Sequence, residues 1–142
     1  MFKNDAKLMN ELMLPTTLFV ILSPGFLLDV DISRATKNIN SVAKLGKMKT
    51  SMGSVVTHSL VFALLLDQLR KLSGLNSTKM SNVIVPTILF ILLSPGVLLT
   101  VEPIQLKVGL MDGKTSIESI LTHAVVLMLV YKVLRKTFPE VY

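Results

Sequence analysis

The sequence predicts an all-α integral membrane protein, with four transmembrane helices arranged as two tandemly duplicated helical hairpins carrying Ser-Pro-Gly kinks. Three observations lead there. Apolar residues make up 51% of the 142, and only 17% are charged, against about 25% in typical soluble domains. The charges are gathered into blocks that leave long stretches with none. Finally, the chain writes one phrase twice: "LFVILSPGFLL" at Leu18–Leu28 returns as "LFILLSPGVLL" at Leu89–Leu99.

The repeat extends well beyond that phrase. Leu12–Val30 aligns with Val83–Val101 through Pro15/Pro86, Thr16/Thr87 and Phe19/Phe90, at an offset of 71 residues. Lys49–Lys71 aligns with Lys114–Lys136 through Lys-Thr-Ser, Thr-His and Leu-Arg-Lys, at an offset of 65. Two motifs in the same order, twice, indicate tandem duplication with a loop six residues longer in the first copy. The expected plan is one membrane domain over 1–142, holding hairpin repeats at 12–71 and 83–136. Its helices are expected at about 12–28, 50–69, 83–100 and 115–135.

The elements follow in order. Leu12–Leu28, Thr50–Leu66 and Met80–Val101 carry no charge and reach the roughly 17–25 residues needed to cross a bilayer, the first two near the lower limit. The leader before the first carries Asp5 and Glu11 beside Lys3 and Lys7, and its near-copy at Val83–Val101 is internal, so it reads as a span rather than a secretory signal. The fourth span, around Ser119–Tyr131, gains length if its helix starts near Thr115. "TSIE" reads there as a capping box, Thr115 capping and Glu118 reaching back. A soluble four-helix protein is the competing reading, but so small a chain cannot bury four helices that are apolar all round. Four crossings put both termini on one side. Eight cations there against seven on the other give no orientation under the positive-inside rule.

Proline inside a helix removes a donor and clashes with the carbonyl four residues back. Ser23-Pro24-Gly25 and Ser94-Pro95-Gly96 are therefore expected to kink or end their helices. The serine hydroxyls would bond backbone within their own turn, and the glycines would let the chain bend. A broken helix lining a solute site is the functional alternative, but such sites recruit charged groups, and only serine lies nearby.

His58 and His123, the two histidines, hold equivalent positions nine residues beyond a lysine, about 13.5 Å of helix rise and near mid-bilayer. Ionisable groups at that depth are candidates for proton transfer or metal binding. No acidic residue shares their spans, and two ligands are too few for structural zinc. The favoured role is intramembrane polar packing, His58 and His123 bonding Thr57, Thr122 or a carbonyl freed by proline. "GKTS" at Gly113–Ser116 lacks the earlier glycine of a phosphate-binding loop, since Val108 stands there. With no cysteine, thiolate chemistry and disulfides are excluded. The net charge of +6 includes a basic loop at 29–49 without aromatic residues, which suits acidic headgroups or an acidic protein rather than nucleic acid.

The order "LLSPGVLLTVEP", a short loop, "GKTS" and "THAVVLMLV" resembles small hydrophobic membrane proteins of nucleocytoplasmic large DNA viruses. Val83 to about Lys136 carries the likeness best. The first half departs from it at Asp29, Ile32–Ser33 and Ser59. The resemblance implies a component of the membrane beneath a viral capsid. The expected function is accordingly a structural multi-pass membrane protein in a virion internal membrane, associating with itself or with other membrane or capsid proteins. A small oligomeric channel or transporter with a histidine-dependent path is the alternative. No catalytic residue, cofactor, metal or small-molecule substrate is expected.

Overall fold

Charge-free stretches rich in Leu, Ile and Val satisfy their backbone internally by becoming helices, and the computed structural model has one helix on each. It describes residues 2–30, 43–45, 51–75, 79–97, 99–102, 107–110 and 115–142. The basic residues of loop positions 31–42 and 46–50 and the Gly113-Lys114 pair lie outside the described residues. The helices are α1 (Phe2–Leu22), α2 (Met52–Leu72), α3 (Ser81–Leu93) and α4 (Ile117–Thr137). Between α1 and α2, β1 (Leu28–Val30) pairs antiparallel with β2 (Ala43–Leu45). Between α3 and α4, β3 (Leu99–Glu102) pairs antiparallel with β4 (Lys107–Leu110).

The helices form an up-down-up-down bundle in which α1 packs on α2 and α4, and α3 packs on the same two. Periodicity decides what faces inward. Val55, Phe62, Leu66 and Arg70 of α2 are buried at steps of three to four or multiples of them, and Ile120, Leu127, Tyr131 of α4 repeat the stripe at the 65-residue offset. Phe19 and Phe90, also repeat equivalents, meet edge to face with centroids 5.4 Å apart, and Phe62 lies 4.7 Å from Phe90. Such pairs add about 0.5–1.5 kcal/mol beyond area burial.

The outward faces are as apolar as the core. Leu60, Leu64, Ile88, Leu121, Val125 and Leu129 are all exposed, Leu64 at 68% of its surface. Buried instead are Glu11, Arg70 and Asn82. Of the four helices, α2 and α4 are long and apolar enough to cross a membrane, 21 residues each, or about 32 Å of rise.

The structure corrects three expectations. First, of the two outcomes expected at Ser-Pro-Gly, the helix ends rather than kinking and continuing: α1 stops at Leu22 and α3 at Leu93, short of the expected 28 and 100. Phe26 N–H donates to Ser23 C=O and Val97 N–H to Ser94 C=O, while Gly25 and Gly96 stand at φ 81° and 85°. That is a tight turn with proline second and glycine third, where positive φ excludes most side chains. The prolines that do remain inside helices are Pro15 and Pro86. Second, beside the four expected helices, the stretches after these turns pair as short β-hairpins that the expected helix bounds leave out. Third, α1 begins ten residues earlier than 12, while α2 and α4 are shifted toward the C-terminus by about two residues.

Between the repeats α2 ends in a Schellman motif: Leu75 N–H donates to Arg70 C=O and Gly74 N–H to Lys71 C=O, with Gly74 at φ 67°. Leu75 is buried behind it. Gly25→Ala and Gly96→Ala should each destabilise the protein by about 1–2 kcal/mol, the cost of a left-handed backbone for an L residue. Thermal unfolding followed by circular dichroism in detergent checks this, and unchanged midpoints would argue against the turn.

Candidate functional site

Among the described residues, two polar constellations hold the bundle, one at each end, and both obey the repeat. At the Pro-Gly end, each proline turn takes the chain out of the helix and leaves the last carbonyls without partners. Ser23 Oγ donates to Phe19 C=O and Ser94 Oγ to Phe90 C=O, both at 2.7 Å. The next orphan is closed from the neighbouring helix. His58 Nδ1 stands 2.7 Å from Leu22 O, and His123 Nδ1 stands 2.6 Å from Leu93 O. Leu22 and Leu93 are themselves equivalents, so the same clasp is built twice.

The second nitrogen separates the two copies. Val30 N–H donates to His58 Nε2 at 3.0 Å. An accepting Nε2 carries no proton, so the proton is on Nδ1, where it points at Leu22. This bond ties β1 to α2. His123 Nε2 is buried without a hydrogen-bond partner among the described residues, and so is Ser119 Oγ.

At the opposite end, the first and last helices meet through charge. The Glu11 carboxylate of α1 is paired with Arg135 of α4, and Arg70 Nη2 of α2 lies 4.0 Å from Glu11 Oε1. Arg135 also donates to Asn82 Oδ1 at 2.5 Å and to Tyr131 Oη at 3.1 Å. Its guanidinium lies 5.5 Å from the Tyr131 ring centroid and 5.0 Å from that of Tyr142. The last residues close over this end: Lys79 Nζ donates to Glu140 O at 2.6 Å and to Tyr142 O at 2.8 Å, and Ser81 Oγ donates to Val141 O.

Four helices thus contribute to one cluster whose members are repeat equivalents. Glu11 matches Asn82, Arg70 matches Arg135, and Leu66 matches Tyr131. One acid faces two guanidiniums, so the cluster carries an excess positive charge. Its chemistry is electrostatic locking. Removing one partner from a buried pair typically costs about 3–5 kcal/mol, because the other charge is left stranded.

The remaining expected residues are dispersed. Thr57 Oγ1 and Thr122 Oγ1 donate to Gly53 C=O and Glu118 C=O, each four residues back on its own helix, rather than to the histidines. The cap of α4 is Ser116, which accepts from Ser119 N–H at 3.1 Å; Ser51 does the same for α2. Thr115, one residue too early to cap, donates to Pro95 O at 3.3 Å and so links α4 to the proline turn, while Glu118 sits in the first turn of α4. Sequence reasoning missed Glu11, Asn82, Tyr131 and the pairing role of Arg70 and Arg135. The signal was present: the Leu-Arg-Lys exit keeps arginine, not lysine, in both copies, and Glu11 directly borders the charge-free span.

A family model described as "Protein of unknown function (DUF3339)" matches the chain twice, over residues 9–69 and 78–137. Each match covers one hairpin, so the chain belongs to this family and contains its unit in tandem. No curated protein and no solved structure matches.

Because Glu11 and Asn82 are equivalent, exchanging them tests the cluster. Glu11→Asn should lose about 3–5 kcal/mol of stability, and adding Asn82→Glu should restore most of it. Unfolding midpoints of the single and double variants check this; no recovery in the double variant would contradict the shared site.

Proposed function

We propose that this DUF3339 protein is a multi-pass integral membrane protein with a structural role, a lipid-embedded scaffold that associates with itself or with other membrane proteins. The observation that carries the reading is the inverted distribution of polarity. Leucine, isoleucine and valine cover much of the outside of α2, α3 and α4, while Glu11, Arg70, Asn82 and both histidines are buried. In water that exterior would be a very large apolar patch. In hydrocarbon it is the expected surface.

The irregular backbone fits the same solvent. Chain that is neither helix nor closed barrel is tolerated at membrane depth where protein covers it. Ser23–Gly25 and Ser94–Val97 are buried, and their helix ends are closed by serine and histidine. The thirteen residues of α3 rise about 20 Å, and the turn and β3 beyond it continue against α4.

A pore through one copy has no support. Phe19, Phe62, Phe90, Leu66 and Leu127 are fully buried and fill the centre. The channel alternative would need a path between copies, and its one supporting observation is the unpartnered His123 Nε2. The motifs that resemble viral membrane proteins lie within the two segments matched by the family model. Residence beneath a viral capsid stands on that resemblance alone.

The protein should remain in the membrane pellet after alkaline carbonate and high-salt washing; release into the soluble fraction would end the reading. Reconstituted in liposomes, it should give no ion flux between pH 5 and 8. A flux abolished by His58→Leu with His123→Leu would favour the channel.

A further inference from the structure

We propose that the crevice between α2 and α3, at the Glu11–Arg70 end of the bundle, is a binding site for the headgroup of an anionic phospholipid, whose acyl chain lies along the apolar wall below. The proposal rests on the membrane reading above and adds a ligand to it.

The crevice holds about 430 Å³. Its two ends differ in chemistry. Toward the helix ends it is lined by Arg70, Lys71 and Lys79, with Asp67 as the one acid. Among these lining residues three cations face one carboxylate, Asp67, which is paired with Lys71 at 2.6 Å, and Lys79 also donates to the Glu140 and Tyr142 carbonyls. Toward the bundle middle it is lined by Ala63, Leu64, Val83 and Ile84. Polar at the helix termini and apolar along the shafts is the profile of a phospholipid standing in one leaflet. Clusters of Lys and Arg at that level attract anionic lipid.

Arg70 makes this more than a solvated basic rim. Its side chain is 4% exposed, and a guanidinium offers five donors in a rigid fork. Among the described residues, its contacts are a long 3.4 Å bond to Leu75 O and an ion pair with Glu11 at 4.0 Å. A buried arginine so loosely held, lining an open crevice, can offer paired N–H groups to a phosphate oxygen.

The repeat supplies an internal contrast. The equivalent crevice between α4 and α1 is lined by Lys132, Arg135 and Lys136 with Leu8 and Tyr142. There Arg135 is already engaged by Glu11, Asn82 and Tyr131 and stacked by two tyrosines. Glu11 leans to Arg135 because Asn82, its uncharged counterpart, adds an acceptor on that side. The asymmetry at one position therefore leaves Arg70 more loosely held than Arg135.

The test uses the full chain in nanodiscs of phosphatidylcholine with trace phosphatidylglycerol, scoring lipids retained after transfer to detergent by native mass spectrometry. The wild type should retain phosphatidylglycerol over phosphatidylcholine, and Lys71→Gln with Lys79→Gln should reduce the preference about fivefold for each lysine removed. Ile84→Trp, at an exposed position on the apolar wall, should cut retention without changing charge. Lys132→Gln with Lys136→Gln, in the other crevice, should leave the preference intact. Three results would each overturn the proposal: equal retention of the two lipids by the wild type, an equal loss from the Lys132/Lys136 variant, or displacement by millimolar inorganic phosphate, which would indicate a free-anion site. A protein that stays in the bilayer yet shows no headgroup preference sinks this site and leaves the membrane reading standing.

Discussion

The Glu11 carboxylate sits inside the bundle, paired with Arg135 and facing Arg70, and the architecture follows from keeping those charges there. An ion pair in a helix interior is costly unless it is close, hydrogen-bonded and shared among elements. Here the first helix supplies the acid, the second and fourth supply the guanidiniums, and the third supplies Asn82. None of the four can leave without stranding a buried group. The cluster thereby holds together two hairpins whose remaining contacts are apolar and weakly directional.

The same logic governs the other end by a different means. Pro24 and Pro95 end their helices within the bundle and release backbone carbonyls there. Serine on the same helix and histidine on the next provide the missing donors. The histidine depth that suggests proton chemistry from sequence is explained by this capping duty: the imidazole stands where the neighbouring helix runs out. The two ends together fix register. One is pinned by charge and the other by helix termination, with aromatic packing of Phe19, Phe62 and Phe90 between them.

Duplication was plain in the sequence because short motifs recur in order at two offsets, and each copy meets the family model on its own. The helices were legible as charge-free runs. Their ends were less so. Proline reads as a helix breaker wherever it occurs, yet Pro15 and Pro86 stay within helices while Pro24 and Pro95 end them, and the difference is the glycine that follows only the latter pair. The cap of α4 lies one residue beyond Thr115 because Thr115 and Ser116 both offer cap chemistry, and Thr115 is instead bonded to Pro95, a tertiary contact. Glu11 was hidden for a related reason. At the edge of an apolar run, a carboxylate reads as interfacial, and its true partner lies 124 residues away. β-pairing at Leu28–Leu45 and Leu99–Leu110 joins segments whose loops carry no strong turn signature, so periodicity could not show it.

All of this depends on hydrocarbon meeting the outer faces of α2 and α4. The chain contains no cysteine, so a single one introduced at Leu64 or Leu129, exposed on those faces, can carry a spin label without further change. In reconstituted liposomes, labels at both positions should relax readily with oxygen and be shielded from a water-soluble nickel chelate. Ready collision with the chelate at either position would place water against these faces and contradict the account.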